Sequence, residues 1–565
     1  MENPMKQKFV QIAALCLALV LLLPASAAAP SSPGDTVIRV GLFYGSSGLD
    51  GANLLNSVGS GYRLGYFNSS NQFVQLGTTE QKAISVVETQ NVGYGSYNGY
   101  NSYHMALSGS ANVKVGCYHL ELPGVYADFA QAQAAASAYA DGFPACVDGS
   151  FTVRVGSYLS KTAAETARQS LGLAGASVAG TSAYGISVVV TGTSTILFQY
   201  DDLGKGTGLG VMPNTVDGGG DYATVFKNTT WRGGFRYERV GGKNLTVVNM
   251  IRLDDYVKGV VPHEMSNSWP IEALKAQAVA ARSYALSLRN RHSSYHFDIC
   301  TTTDCQVYSG LSRAGSNSDA AADQTAGQVA RYNGNIAQTC YYSSNGGASE
   351  GSATVWGGNQ SNYPYLAGVV DPYEATVSIP SYSWSQSYTP AALAGKLNAK
   401  GYAVGNTVAS AVISSRTPSG NPAGVTFTGG NGKIYTLTAR QMMSAFGFRS
   451  YRYEILDGGT AAQETVNVNG TAVASSGLYA IGGDGRITAV GQDACVITSG
   501  GVSQLSTESG GTSAGGSPGK FTFSGKGWGH NVGMSQYGAY AMALQGYTYD
   551  QILKFYYTGI TVGYM

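Results

Sequence analysis

The sequence predicts a multi-domain α+β protein, and three observations predict it. Apolar and polar residues alternate in short runs over Thr36 to Gln90 and again beyond Leu203. Strand and helix patterns take turns between Val115 and Val190, and one long alanine-rich helix is expected from Trp269 to Arg289. A chain of 565 residues has length for roughly three to four domains and ample material for a core.

At the N-terminus, Lys6 and Lys8 precede an apolar run from Phe9 to Leu23, followed by Pro24 and an Ala25-Ser26-Ala27 cleavage signal. The run is short for a membrane span, so residues 1–29 are expected to be a signal peptide cut near Ala27 or Ala29, with an uncleaved anchor as the alternative. Cys16 follows Leu15 rather than a small residue, which argues against a lipoprotein site. Beyond Cys16 six cysteines remain, and export permits disulfides; the pairing of Cys117, Cys146, Cys340 and Cys495 stays open. A net charge of +1 with 12% charged residues excludes the concentrated basic face that nucleic acid requires. The 77 glycines and 39 tyrosines suit a loop-rich secreted protein, and tyrosine rings also stack on sugars through their apolar bodies.

Residues 36–110 form a strand-rich N-terminal region (VIRVGLFYG, GYRLGYF, QFVQLG, ISVVET) that ends in a Gly/Ser/Asn/Tyr-rich linker from Asn91 to Ser110. Residues 111–201 follow the order strand VGCYHLEL, helix FAQAQAAASAYADG, strand FTVRVGSY, helix SKTAAETARQSLGLAG and strand ISVVV, which reads as a ferredoxin-like βαββαβ module. Residues 203–565 are expected to be a mostly antiparallel-strand plus helix domain. Its strands TVFKN, FRYERV and LTVVNMIRL lead into the long helix, and later strands GVTFTG and KIYTLTA precede a helix at Ala439 to Phe446. Within that domain Thr460 to Lys520 is strand-like and then Gly/Ser-rich, a flexible insertion by composition.

The chemistry concentrates in Val257 to Leu286, VKGVVPHEMSNSWPIEALKAQAVAARSYAL. Glu264 is expected in a turn just before the helix, with Ser268 as N-cap and Pro270 in the first turn. At about 100° per residue, Ile271, Leu274, Ala278, Ala281, Ala285 and Leu288 form one apolar stripe with Lys275 and Arg282 at its border. Asp254 and Asp255 read as solvated turn residues before a strand segment, and Glu272 falls on the far face of the helix, which leaves Glu264 as a lone acid. Burial beside Val260, Val261, Met265 and Trp269 should raise its pKa, provided the cations stay out of direct contact. His263 reads as incidental. Further on, HSSYHFDICTTTDCQVYSG places Cys300 and Cys305 in a C-x4-C pair near His292 and His296, which suits either a zinc ion or a local disulfide. The run GKGWGHNVGMSQYGA lacks the phosphate-loop pattern, and its glycines let backbone approach a ligand closely.

The Glu264 segment resembles the signature of the SpoIID/LytB (stage II sporulation protein D) family of cell-wall lytic transglycosylases and amidase enhancers. CQVYSG at Cys305, SSNGGASE at Ser343 and GWGHNVGMSQYGAYAMA at Gly527 follow in the family's order, so the resemblance covers roughly residues 225 to 560. It implies that Glu264 is catalytic and that Lys275 and Arg282 support substrate and transition state. It also implies that Gln306, Tyr308, Ser344, Asn345, Gly347, Trp356, Trp528, His530, Ser535 and Gln536 serve the substrate cleft. No cofactor is required, while some clostridial members bind zinc near such a cysteine pair, which makes Cys300, Cys305 and His296 candidate ligands of a structural zinc. The family often has a histidine directly before the second cysteine, where this chain has Asp304.

One acid is what a lytic transglycosylase needs, because the substrate's own C6 hydroxyl is the nucleophile. A hydrolase of the usual pattern needs a second carboxylate about 5–9.5 Å away. A second resemblance joins the first: Phe151 to Leu171 is similar to SPOR domains, which bind glycan stripped of its stem peptides, and places Val153, Val155, Ser157 and Tyr158 in the matched segment. The alternative there is a generic two-helix α+β module. The function these resemblances imply is a secreted, wall-associated enzyme that cuts denuded peptidoglycan to 1,6-anhydromuramoyl ends downstream of an amidase. The alternatives are a non-catalytic activator of an N-acetylmuramoyl-L-alanine amidase, or a structural wall protein.

Overall fold

The computed structural model describes residues 36–180, 182–215, 223–457 and 519–565, together with short strands inside 458–518. The expected signal peptide at 1–29 lies outside the described residues, as does most of the expected insertion at 460–520. The architecture is mixed α+β, with many small and two large sheets and ten α-helices among the described residues. Among those residues no helix is long and apolar enough to cross a membrane.

The first large sheet has seven strands in the order 299–300, 37–43, 246–252, 234–238, 209–213, 62–67 and 73–79. Its first strand in sequence, Val37–Phe43, pairs antiparallel with Thr246–Arg252 and parallel with Ile299–Cys300. The N-terminal strands are therefore built into the sheet that carries the Glu264 segment, 200 residues later in the chain. The second sheet has ten strands and begins with 177–179, 118–121, 150–158 and 142–147 in spatial order. With α1 (Phe129–Ala136) and α2 (Lys161–Ser170) these four strands make an antiparallel βαββαβ unit. Its sheet continues through 196–201, 186–190 and 83–88 into the N-terminal region, so the sheet crosses the segment boundaries read from the sequence.

Two sequence expectations change here. The expected linker at 91–110 is a β-hairpin, Val92–Tyr97 with Tyr100–His104, anchored by two fully buried residues: Val92, and Tyr103, whose hydroxyl donates to the carbonyl of Thr193 at 2.6 Å. Val153 and Val155 are buried core residues, since alternation along Ser150–Tyr158 turns them toward the helices. They offer no surface to a glycan. Ser157 is tied to the backbone of Gly116 at 2.7 Å, and Tyr158 is half-buried against the same core.

Strand Thr246–Arg252 runs straight into α3 (Leu253–Glu264), whose first turn holds Asp254 and Asp255. Acids at that end oppose the helix dipole, which explains why the pair opens a helix rather than a solvated turn. Glu264 is thus the last residue of α3. After a short turn, α4 begins at Ile271 with Pro270 as its N-cap and ends at Ser287. It is buried on almost every side, from Ala273 and Leu274 to Ser283 and Ala285. Small alanines let neighbours close in from all directions, so the expected single stripe becomes a central helix. Against it pack α3, α5 (Ser316–Gln324), α9 (Gln536–Leu544) and α10 (Tyr549–Tyr556).

A separate core fills the segment 383–457 with 521–526, where α7 (Pro390–Ala399) and α8 (Ala439–Phe446) cover two three-stranded sheets. Stacked rings of Trp384, Phe446, Phe448 and Phe523 hold it. The short α6 (Ser352–Trp356) faces α8 across the cleft described below.

Candidate functional site

Glu264 ends α3 with its side chain half-buried, above Val260, Val261 and Met265, which are almost wholly excluded from water. Its carboxylate accepts a hydrogen bond from the Gln536 amide at 2.9 Å and another from the Tyr341 hydroxyl. Burial raises the pKa of this carboxyl above the usual range, and the two donors only partly offset that rise. No carboxylate and no cation is among the groups that shift it. Among the described residues the acid is therefore without a charged neighbour in its hydrogen-bond shell, and it holds its proton to higher pH than an exposed glutamate would.

Behind Glu264 runs a relay of fixed polar groups. Gln306 donates to the Tyr341 hydroxyl at 2.9 Å and to the carbonyl of Ala281 at 3.2 Å, while Tyr256 donates to Gln306 at 3.0 Å. Gln306 is buried and reaches Glu264 only through Tyr341. Tyr308, which the resemblance placed at the substrate, is instead a core residue: it is buried against Trp231 and Tyr256 and donates to Asn249 at 3.0 Å.

The two cations are not with the acid. Arg282 is completely buried and pairs with Asp254 at 2.7 Å, donating also to the carbonyls of Gln328 and Ala322 at 3.0 and 3.3 Å. A buried guanidinium needs a carboxylate, and the acid at the start of α3 supplies it. Lys275 pairs with Glu272 at 2.8 Å and lies over the Tyr549 ring. Glu272 also accepts from the backbone of Tyr549 at 2.8 Å, so both side chains face α10 and the expected far-face placement of Glu272 does not hold. His263 approaches Ser312 at 3.3 Å, apart from the acid's partners.

The opposite wall is made by two loops that clasp each other. Tyr341 and Tyr342 bridge Met534 and Ser535 in parallel, and Ser344 and Trp528 exchange backbone hydrogen bonds at 3.0 and 2.8 Å. Gly529 must be glycine, with φ of +130 and a would-be Cβ only 2.7 Å from the Tyr342 side chain. Asn345 is buried and donates to Asp371 at 2.7 Å, and its own carbonyl oxygens hold the loop: the side-chain oxygen accepts from Gly347 at 2.7 Å and the backbone one from Asn531 at 2.9 Å. Ser535 caps α9 through the backbone of Gly538 at 3.0 Å and donates to Glu374. Ser344, Asn345 and Ser535 are thus buried scaffold, while Gly347, Trp356, Trp528 and His530 retain exposure to the cleft. Trp269 packs edge-to-face on Tyr537 and at a tilt on Tyr540 and so fixes α9, and Gln536 with it, against the turn after Glu264.

Asp371 and Glu374 form a buried acid pair that the sequence reading missed; their i, i+3 spacing in DPYE was the available signal. Burial and the nearby Asp371 push Glu374 up to about 8 despite donors from Ser535 and the backbone of Asn345 and Gly346. A carboxyl raised in this way stabilises the fold fully below its ordinary 4.5, and the contribution is lost as pH rises toward about 8. Thermal melting is expected to show a falling midpoint between those limits, and Glu374→Gln should flatten that slope. A midpoint constant over this window in the parent protein would contradict the assignment.

The cysteine motif gathers differently from the expectation. His292 Nε2 lies 3.4 Å from Cys305 Sγ, and His292, Cys300, Asp304 and Cys305 place their donor atoms within 4.8 Å of one another. His296 is excluded. It sits in a left-handed conformation after the turn Ser293–Tyr295 and pairs with Glu238 at 2.7 Å, whereas His292 stacks on Phe297 with Nε2 directed at Cys305. Cys300 and Cys305 are free thiols, as are Cys117, Cys146 and Cys340. Two thiols, an imidazole and a carboxylate at these separations match the donors and size of a tetrahedral zinc site. Arg291 holds the Asp304 carboxylate at 2.8 Å from the solvent side.

The family model for SpoIID, stage II sporulation protein, matches residues 241–332. The chain is 33% identical over 319 residues to the amidase enhancer of Bacillus subtilis, covering 54% of this chain and 40% of that protein. It is 30% identical over 324 residues to an uncharacterized protein of Brachyspira hyodysenteriae, covering 56% of this chain and 68% of that one. It is 27% identical over 331 residues to stage II sporulation protein D of Bacillus subtilis, covering 75% of that protein. The chain thus spans well under two thirds of the amidase enhancer's length.

Proposed function

The chain belongs to the SpoIID/LytB family, which supports a role in sporulation or the cell wall, and from that premise we propose that it is a secreted lytic transglycosylase acting on denuded peptidoglycan. The observation that carries the reading is the solitary, half-buried Glu264 held by Gln536 and Tyr341. In the reaction the protonated carboxyl donates its proton to the glycosidic oxygen as the bond from muramoyl C1 breaks. The resulting carboxylate then accepts the proton of the C6 hydroxyl, whose oxygen closes onto C1 to give the 1,6-anhydro ring. No water enters, so no second carboxylate is needed. The raised pKa keeps the acid form populated further toward neutral pH than an exposed glutamate would.

The Gln536 and Tyr341 donors hold the carboxylate in the ionised half of the cycle, so one group serves as acid and base in turn. Lys275 and Arg282 support this geometry through their ion pairs with Glu272 and Asp254. The βαββαβ unit, similar to SPOR over Phe151 to Leu171, tethers the enzyme to stripped strands through surfaces other than Val153 and Val155. An amidase acting beforehand supplies those strands.

Mass spectrometry of products from purified glycan tests the reading. Anhydromuramoyl ends formed by the intact protein and not by Glu264→Ala support it. A protein that binds strands, releases nothing and accelerates an added amidase would replace it with the activator reading, which draws on the similarity to the Bacillus subtilis amidase enhancer.

A structural zinc at Cys300, Cys305, His292 and Asp304 fits the same proposal, tying strand Ile299–Cys300 to the loop that leads to Gln306. Zinc there supplies cross-linking, and Glu264 keeps the acid and base work. Metal analysis should find one zinc per chain, lost together with several degrees of thermal stability in Cys300→Ser/Cys305→Ser. Full stability and no zinc in the parent protein would refute this part.

A further inference from the structure

One charged group in the cleft has no task in the reaction above. Beyond His530 a cavity of about 490 Å³ opens between the family scaffold and the 383–457 segment, lined among others by Trp356, Phe448, Arg449, Tyr451, Trp528 and His530. The chain has five tryptophans, and two of them stand here 44% and 49% exposed, a large apolar area to leave in water without a ligand. The Arg449 guanidinium lies over the Trp528 ring, 4.6 Å from its centre. Among the described residues it has no hydrogen-bond or ion-pair partner, so its donors are open. No acid lines the cavity.

The neighbours make this cation the only charge that a ligand in the cavity meets from its lining residues. Burial pushes the His530 imidazole down to about 4, so it is neutral at physiological pH. Its Nδ1 accepts from the backbone of Val532 at 3.1 Å, and its ring packs between Tyr342 and Trp356. Arg440 stands at the rim, where it donates to the Trp356 carbonyl at 3.0 Å and fixes that indole. Tyr341 links the cavity wall to the acid, because it bonds His530 through its backbone and Glu264 through its hydroxyl.

A flat indole beside a fork of N–H donors suits a sugar ring with an apolar C–H face and a carboxylate at its edge. We propose that this cavity is a subsite for a muramic acid residue whose lactyl carboxylate is free, with the sugar on Trp528 and the carboxylate on Arg449. The inference rests on the glycan-cutting reading and deepens it. A stem peptide converts that carboxylate to a neutral amide, which a guanidinium cannot pair with, so Arg449 selects strands that an amidase has already stripped.

Tryptophan fluorescence titrations of the full chain carrying Glu264→Gln measure binding without cutting. The probes are purified stripped strands with free lactyl carboxylates and the same strands with those carboxylates amidated. The free form should bind about tenfold more tightly, as a charge-assisted hydrogen bond at an exposed site allows. Adding Arg449→Gln should erase the ratio, Arg449→Lys should keep part of it, and Trp528→Ala should weaken both forms. Equal binding of both forms, binding of neither, or a ratio that survives Arg449→Gln overturns the subsite. Arg449 and Trp528 are exposed, so these variants leave the core intact. The readout is binding, so a chain that binds with this ratio yet forms no anhydromuramoyl ends refutes the enzyme reading and leaves the subsite standing.

Discussion

Glu264→Gln is expected to lower glycan cleavage by about 10³–10⁴-fold while leaving strand binding and folding close to those of the parent protein. The loss should sit at the upper end of what one acid or base contributes, because the same carboxyl serves in both halves of the reaction. Gln retains the shape and an acceptor oxygen for the Gln536 amide, and its own amide can donate to the Tyr341 hydroxyl oxygen, so the local network survives. Product counting by mass spectrometry, with a melting curve alongside, separates lost chemistry from lost fold. A variant with more than about a tenth of parent activity would remove Glu264 from the mechanism. Gln536→Ala offers a graded companion. Without the amide the carboxyl is less stabilised as an anion, its pKa rises further, and the alkaline limb of the pH–rate profile should move to higher pH.

The upward shift of the Glu264 pKa was legible in the sequence, because it depends on local pattern, an acid beside Val260, Val261 and Met265, whereas the two loops that face it came from the family resemblance and not from their own residues. What sequence could not supply was the partner of each charge. Arg282 and Asp254 are 28 residues apart and meet because α3 and α4 pack side by side, and nothing in a helical wheel of α4 shows that its polar border is covered by another helix. The same limit applies to the metal cluster. His296 is nearer the cysteines along the chain than His292, yet it is turned away by its own left-handed backbone and by its pairing with Glu238, 58 positions away. Alternation did predict the strands of 36–90, but it could not reveal that Val37–Phe43 joins the sheet of residues 246–252, since pairing between distant strands is set by the whole core. The tyrosine-rich stretch at 91–110 misled for a compositional reason: Gly, Ser and Asn suggest a linker, while burial of Val92 and Tyr103 against distant strands holds it as a hairpin.

Arg282 gives the second large effect, and it distinguishes a structural cation from a catalytic one. Arg282→Met should destabilise the protein by about 3–5 kcal/mol, because Asp254 is left charged and unpaired in the core. Activity will fall too, since α3 carries both Asp254 and Glu264 and cannot hold the acid in place once its first turn is disrupted. That loss alone decides nothing. The informative variant is Arg282→Met with Asp254→Leu, which removes both charges and substitutes apolar volume, an exchange that buried pairs often tolerate. Some cost will remain, because the carbonyls of Ala322 and Gln328 lose their donor. If the guanidinium acts only through Asp254, the double variant should recover about half or more of the lost stability, with glycan cleavage returning in step. If Arg282 instead met the substrate, stability would return and cleavage would not, because no amount of repacking restores a missing charge at the reacting atoms. Stability and product formation measured on the parent, Arg282→Met, Asp254→Leu and the double variant therefore place Arg282 on one side or the other, and a double variant that melts like the parent yet cuts nothing would return this residue to the active site.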